Sequence, residues 1–197
     1  MAKAKPIKKA STGSGQIRLI GGQWRGRKLP VLDSEGLRPT TDRIKETLFN
    51  WLMFDIHHCR CLDLFAGSGS LGFEALSRGA DEVILVEKDA TVAQQLQRNL
   101  ASLPAAQGQI INTDAIGFLQ SPATAFDLVF LDPPFHRELL PNVCQLLEHN
   151  GWLNVDAKIY IEREQASESL LLPSNWRLLK DKRAGQVNYQ LYQRESE

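Results

Sequence analysis

From Gln16 the residues QIRLIGGQWRGRKLPV alternate apolar and polar positions around Gly21, Gly22 and Gly26, which predicts two short strands in a hairpin. Thr40 or Thr41 then caps a helix whose apolar positions, Ile44, Leu48, Trp51 and Leu52, return at helical spacing. CLDLFAGSGSLGFEALSRGA, residues 61 to 80, reads as a strand, a glycine-rich turn and a helix closed by Gly79. VILVE (83 to 87) is the next strand, and a helix from about Thr91 to Leu103 aligns Val92, Leu96 and Leu100 before Pro104 stops it. QIIN, a short helix with Ile116 and Leu119, the apolar run FDLVFL (126 to 131), a helix from about Leu139 to Glu148 and the strand KIYIE continue the alternation. In the final stretch Val187, Tyr189 and Leu191 alternate, so two antiparallel strands join across Gly185. This order predicts an α/β fold: a Rossmann-like, doubly wound, seven-stranded and mostly parallel sheet with a C-terminal antiparallel hairpin and a small N-terminal β-hairpin extension. No internal repeat is present.

Charge divides the same chain differently. Residues 1 to 28 hold Lys3, Lys5, Lys8, Lys9, Arg18, Arg25, Arg27 and Lys28 and no acid, whereas the remainder carries 15 basic against 23 acidic residues. A basic arm on an acidic body fits a polyanion, most simply nucleic acid, met at one end of the molecule. We expect a basic flexible tail over 1–15, an RNA-contacting hairpin over 16–36 and the main domain over 37–197. Arg18, Trp24, Arg25, Arg27 and Lys28 are expected on the exposed face of the hairpin, the arginines for phosphates and Trp24 for an unpaired base. Arg38, in the stiff Arg38-Pro39-Thr40 approach, and Arg43, in the first turn of the following helix, are further anion-binding candidates.

Length and cysteine usage narrow the class. A chain of 197 residues, 43% hydrophobic, buries one sizeable core. Cys59, Cys61 and Cys144 are odd in number, and Cys61 opens an apolar strand, so a disulfide framework is not expected. The Cys59-x-Cys61 pair, even with His57 and His58 beside it, lacks the usual metal-ligand spacing. No apolar run approaches a membrane span and the polar STGSGQ stretch is unlike a signal peptide, so a cytoplasmic protein is expected.

The chemistry lies at the predicted carboxyl ends of the strands. Gly67, Gly69 and Gly72 fit G-x-G-x-x-G, which lets backbone approach a ligand at a helix start. Glu87 follows about twenty residues later, where a ribose diol is bound. Those two features suit a nicotinamide-dependent dehydrogenase equally well. Asp63, four residues before the turn, instead suits a cationic amino-acid end. Asp114 is either a ligand for an adenine amine or a helix cap. Asp132-Pro133-Pro134-Phe135 ends the apolar strand 126 to 131. Both prolines lack N–H groups and have fixed φ, so the Asp132 carboxylate and Pro133 carbonyl can accept the two hydrogens of a planar exocyclic amine. Phe135 offers a stacking face for an extruded base. His136 is a candidate base that the reaction does not require.

Read together, GSGQIRLIGGQWRGRKLP, LRPTTDR, LFNWL, LDLFAGSGSLG, EALSRGA, DPPF, NGWL and AGQVNYQLYQRE resemble the bacterial small-subunit ribosomal RNA guanine-N2 methyltransferases, the RsmD family, within the class I S-adenosylmethionine-dependent methyltransferases. The resemblance spans Gly13 to Glu195 and departs at Ser70, where alanine is expected. It implies S-adenosyl-L-methionine as cofactor. Asp63, Phe65, Ala66, Gly67, Ser68 and Gly69 would hold its methionine portion, Glu87 its ribose and Asp114 its adenine, with Lys88 and Ala115 as further cofactor-binding positions. Asp132, Pro133, Pro134 and Phe135 would hold the target base. The implied substrate is 16S rRNA in the assembled small ribosomal subunit, methylated at guanine 966, with an adenine-N6 methyltransferase of the same fold as the alternative. No metal and no obligate protein partner are implied.

Overall fold

The computed structural model describes residues 15–32, 41–134, 139–164 and 170–196. Strands β1 (Gly15–Arg18) and β2 (Lys28–Val31) pair antiparallel, with Ile17 opposite Leu29. Helix α1 (Asp42–Trp51) follows, capped by the Thr41 hydroxyl accepting from the Ile44 N–H. The main sheet is built from β3 (Arg60–Asp63), β4 (Glu82–Glu87), β5 (Gly108–Asn112), β6 (Phe126–Leu131), β7 (Leu153–Glu164), β8 (Trp176–Ala184) and β9 (Val187–Arg194). Helices α2 (Ser70–Ser77), α3 (Ala90–Ala101), α4 (Ala115–Leu119) and α5 (Leu140–His149) connect them.

The strand order is β5-β4-β3-β6-β7-β9-β8, parallel from β5 to β7 and antiparallel for β9 and β8. The last strand therefore inserts between β7 and β8. Progress from β3 to β5 runs towards one edge and β6 returns to the other side of β3, which makes the β3/β6 junction the switch point where ligands of such sheets bind. Two apolar layers cover the sheet. One gathers Leu48, Phe49, Leu71, Phe73, Leu96, Phe130, Tyr160 and Tyr189; the other gathers Phe118, Leu131, Val143, Leu147, Trp152 and Ile161. The alternation along β6 and β7 explains the division, since neighbouring residues face opposite layers.

The N-terminal hairpin belongs to the first layer rather than standing off it. Ile17, Leu19, Trp24 and Leu29 are part of that core. Its irregular backbone is met by side chains: the Ile20 N–H donates to Glu74 Oε2 at 2.8 Å, and the Trp24 N–H donates to Ser77 Oγ at 3.0 Å. Ser77 Oγ in turn donates to the Gly21 carbonyl at 2.6 Å, and Lys45 Nζ donates to the Arg18 carbonyl at 2.6 Å. Gly22 sits at φ +70°, and a Cβ there would lie 1.8 Å from the Ser77 carbonyl oxygen, so the contact with α2 requires glycine.

That packing corrects one expectation. Trp24 is not on an exposed face; it is 8% exposed and packed in the core. The Gly21-Gly22 turn folds a short 3-10 segment, Gly22–Trp24, inward onto α2, and burying an indole outweighs presenting it to solvent. Arg18 and Arg27 are exposed but already engaged: Arg18 Nη2 donates to Asp42 at 2.7 Å and Arg27 Nη2 to the Ser102 carbonyl at 2.5 Å. Arg25, Lys28 and Arg43 are exposed, and Arg38 lies outside the described residues. Cys59, Cys61 and Cys144 are free and buried. Burial pushes the Cys59 and Cys144 thiols up to about 12, so they are inert. Among the described residues no helix is long and apolar enough to cross a membrane, and no three His, Cys, Asp or Glu groups gather as a metal site requires.

Candidate active site

The switch point joins two sets of residues. On the β3/β4 side the glycine turn starts at Asp63 and ends where α2 begins at Ser70. The turn is hung on the sheet by the Leu64 N–H donating to the Phe130 carbonyl and the Ala66 N–H donating to the Val86 carbonyl, at 3.2 and 2.9 Å. Asp63 is buried, with Oδ2 accepting the Gly72 N–H at 2.9 Å. Burial pushes its carboxyl up to about 7, against the pull of backbone N–H groups from Gly72 and Phe65 and with a further push from Glu87. Asp63 thus ties the start of the turn to the first turn of α2. Gly69 takes φ +76°, and a Cβ there would meet Phe73 and Leu96 within 2.7 Å, so the turn must stay bare. Ala66 and Gly67 are buried, and Phe65 and Ser68 are half-buried.

Glu87 closes the other side of the turn. Its Oε2 accepts the Gly67 N–H at 2.9 Å and its Oε1 the Asp89 N–H at 2.8 Å. Each carboxylate oxygen has a second acceptor position, which is what a ribose diol needs. Lys88 is exposed beside it. Asp114 caps α4, with Oδ1 accepting the Gly117 N–H at 2.9 Å, and Ala115 is buried behind it. The cap therefore exists as a structural role whether or not an adenine is bound.

These residues fit an S-adenosyl donor on the structure's own terms. The turn is held open by glycine, α2 starts without a side-chain cap, and Ser70 Oγ is buried with no hydrogen-bond partner. Ser70, the one departure noted in the motif, is thus the position where the turn leaves a polar group unanswered. A small open cleft lined by Val31, Leu32, Gly67, Ser68, Val92 and Asn99 brings the end of the N-terminal hairpin against the turn.

On the β6 side, Leu131 is the last paired residue and Asp132 follows, half-buried, with Pro133 buried and Pro134 exposed. Asp63 lies opposite Phe130 in the parallel β3/β6 pairing, so Asp132 stands just beyond the level at which the glycine turn begins. Phe135 and His136 lie outside the described residues. The sequence reading missed Tyr160 and Glu162, buried on β7 beside this loop; an acid directly after the apolar run Ile159 to Ile161 was the available signal.

A doubly wound sheet with an acid at or just past the carboxyl end of each of β3, β4 and β6, a bare glycine turn and a D-P-P loop at the switch point defines a class I S-adenosylmethionine-dependent methyltransferase. A methyltransferase from Streptococcus mutans, 13% identical, shares the fold with a TM-score of 0.71, covering 96% of this chain and 58% of that one. The solved structure of the Escherichia coli methyltransferase yhhF superposes with a TM-score of 0.88 at 54% identity, over 93% of this chain and all of that one. Ribosomal RNA small subunit methyltransferase D of Escherichia coli is 56% identical over 94% of both chains. The profile of the family described as Conserved hypothetical protein 95 matches residues 17–193, and the chain belongs to that family, the RsmD family.

Proposed function

We propose that the protein transfers a methyl group from S-adenosylmethionine to the exocyclic N2 amine of one guanine, guanine 966, of 16S rRNA in the assembled small subunit, in the cytoplasm. The observation that carries this reading is the D-P-P loop at the switch point. It sets a carboxylate and a carbonyl beside the glycine turn in a stretch whose two prolines offer no backbone N–H. The names of the relatives supply the RNA and the subunit.

An exocyclic amine is a weak nucleophile because its lone pair is delocalised into the ring. Asp132 and the Pro133 carbonyl accept its two hydrogens and turn the lone pair towards the donor side of the switch point. Bound S-adenosylmethionine supplies an electrophilic methyl carbon whose bond to sulfur breaks as the bond to nitrogen forms. Positive charge grows on the amine, and Asp132 stabilises it where it appears. The methylated nitrogen then gives its extra proton to Asp132 or to water. On the RNA side, Arg25, Lys28 and Arg43 are the exposed cations for phosphate contact, with Arg18 and Arg27 available by exchange of their present partners.

The test presents labelled methyl donor with unmethylated small subunits, free 16S rRNA and duplex DNA, and maps the product by mass. Methylguanine formed at a single site on subunits is the expected result. Label appearing in adenine, or in DNA, would replace the reading with the adenine-N6 alternative.

A further inference from the structure

The carboxyl edge of β7 carries a second acid. Leu131 lies opposite Ile161 in the parallel pairing of β6 and β7, so the next residues, Asp132 just past the end of β6 and Glu162 still within β7, stand side by side, about 4.8 Å apart by ordinary strand spacing. Alternation sets both on the face that bears Phe130 and Tyr160. Glu162 is 5% exposed, and its Oε2 accepts the Tyr160 hydroxyl at 2.9 Å. Burial first, then the Glu162 and Asp132 carboxylates, holds the Tyr160 phenol well above its usual range, so both acids lie within electrostatic reach of one hydroxyl. Tyr189 lies opposite Glu162 on β9, and Trp51 stacks on Tyr189 with ring centroids 5.5 Å apart. An acid pair at the rim of the amine site, walled by aromatic rings, is placed to read a base.

Guanine presents adjacent donors, N1–H and the N2 amine, along its pairing edge. Adenine and cytosine present a donor beside an unprotonated ring nitrogen. A carboxylate only accepts, so it complements the first pattern and repels the second. We propose that Glu162, oriented by the Tyr160 hydroxyl, accepts the N1–H of the target guanine and is the residue by which this site selects guanine. The proposal rests on the reading of the D-P-P loop as the amine site and deepens it. Glu162 determines specificity through the base, and Tyr160 is a positioning residue.

The test uses small subunits assembled with guanine or with 2-aminopurine at the target position. 2-Aminopurine keeps the N2 amine but has an unprotonated N1. Wild-type protein is expected to favour guanine by roughly 100-fold or more in kcat/KM, as sites built around a hydrogen-bonded group do. Glu162→Gln, whose amide both donates and accepts, is expected to lose roughly 100-fold on guanine while 2-aminopurine holds or improves, so that the ratio falls to within about threefold of unity. Tyr160→Phe is expected to raise KM for guanine and to narrow the ratio by a smaller factor with kcat little changed. A Glu162→Gln protein that loses both substrates in equal measure, or keeps its guanine preference, overturns the inference. Donor affinity and melting temperature establish that the variant is folded; should it fail to fold, an unchanged ratio in Tyr160→Phe overturns the inference in its place. Wild-type protein inactive on guanine subunits would sink the functional reading itself, whereas an active wild type with an indifferent Glu162→Gln sinks only this proposal.

Discussion

The two halves of the carboxyl edge use their acids differently. On the β3/β4 side, Asp63 and Glu87 accept backbone N–H groups of their own turn, from Gly72, Gly67 and Asp89. There the carboxylates shape a loop. On the β6/β7 side, Asp132 is followed by two prolines, so the adjacent backbone has carbonyls and no donors, and Glu162 is held by a phenol. There Asp132 is half-buried and Glu162 is buried. The contrast teaches that a carboxylate at the end of a parallel strand is not one kind of feature. A carboxylate followed by residues that can donate is drawn into its own loop, whereas the two prolines after Asp132 rule out that local tie.

Removing the brace should have the largest consequence for the donor half. Asp63→Ala leaves the buried Gly72 N–H without its acceptor, which costs about 1–3 kcal/mol of stability. Chemical denaturation should read that loss, and calorimetry should show donor affinity falling by roughly 10- to 100-fold as the turn loosens. Unchanged donor affinity would mean that the turn does not depend on its tie to α2. Glu87→Ala comes next, with donor affinity down by roughly tenfold and the rate at saturating donor within about a factor of three, because one hydrogen-bonded contact is worth about 1–2 kcal/mol. A fall in rate with intact affinity would move Glu87 to the other side of the comparison.

A pH dependence of stability follows from the Asp63 carboxyl, pushed up by burial to about 7 from its ordinary 3.8. Between those values the folded state binds the proton more tightly than the unfolded chain, so stability falls as pH rises from about 4 to about 7 and levels beyond. Asp63→Asn keeps an oxygen acceptor for Gly72 and should flatten that slope. Denaturation midpoints across the interval check it, and an unaltered slope would assign the dependence to other groups. The smallest effect belongs to the hairpin. Arg25→Ala and Lys28→Ala should each reduce the dependence of log affinity on log salt by about 1 without changing donor binding. Identical slopes to wild type would remove these residues from the RNA interface.

Much of this arrangement was legible in the sequence because its signals are local. Apolar runs of four to six residues alternating with helical periodicity specify a parallel sheet, and Gly67, Gly69 and Asp132-Pro133-Pro134 sit at the ends of those runs. What escaped depends on partners distant in the chain. Trp24 reads as exposed among arginines and glycines until α2 is packed beneath it, 53 residues away at the Ser77 contact. Glu74 and Lys45 are buried charges that a helical pattern places without saying why; their reasons are the Ile20 N–H and the Arg18 carbonyl of the hairpin. The insertion of β9 between β7 and β8 is likewise invisible to periodicity, since either order leaves the same residues facing inward. Glu162 went unread because its meaning comes from standing beside Asp132, one residue past the last β6/β7 pair.

The proposed chemistry depends most on the Asp132 carboxylate acting on the acceptor amine and not on the donor. Single-turnover methyl transfer to small subunits, measured with Asp132→Ala alongside calorimetric donor binding, addresses that claim directly. The expected result is a rate lowered roughly 100- to 1,000-fold with donor affinity within about a factor of two of wild type. A rate that survives the substitution, or a rate that falls only in step with donor affinity, contradicts it.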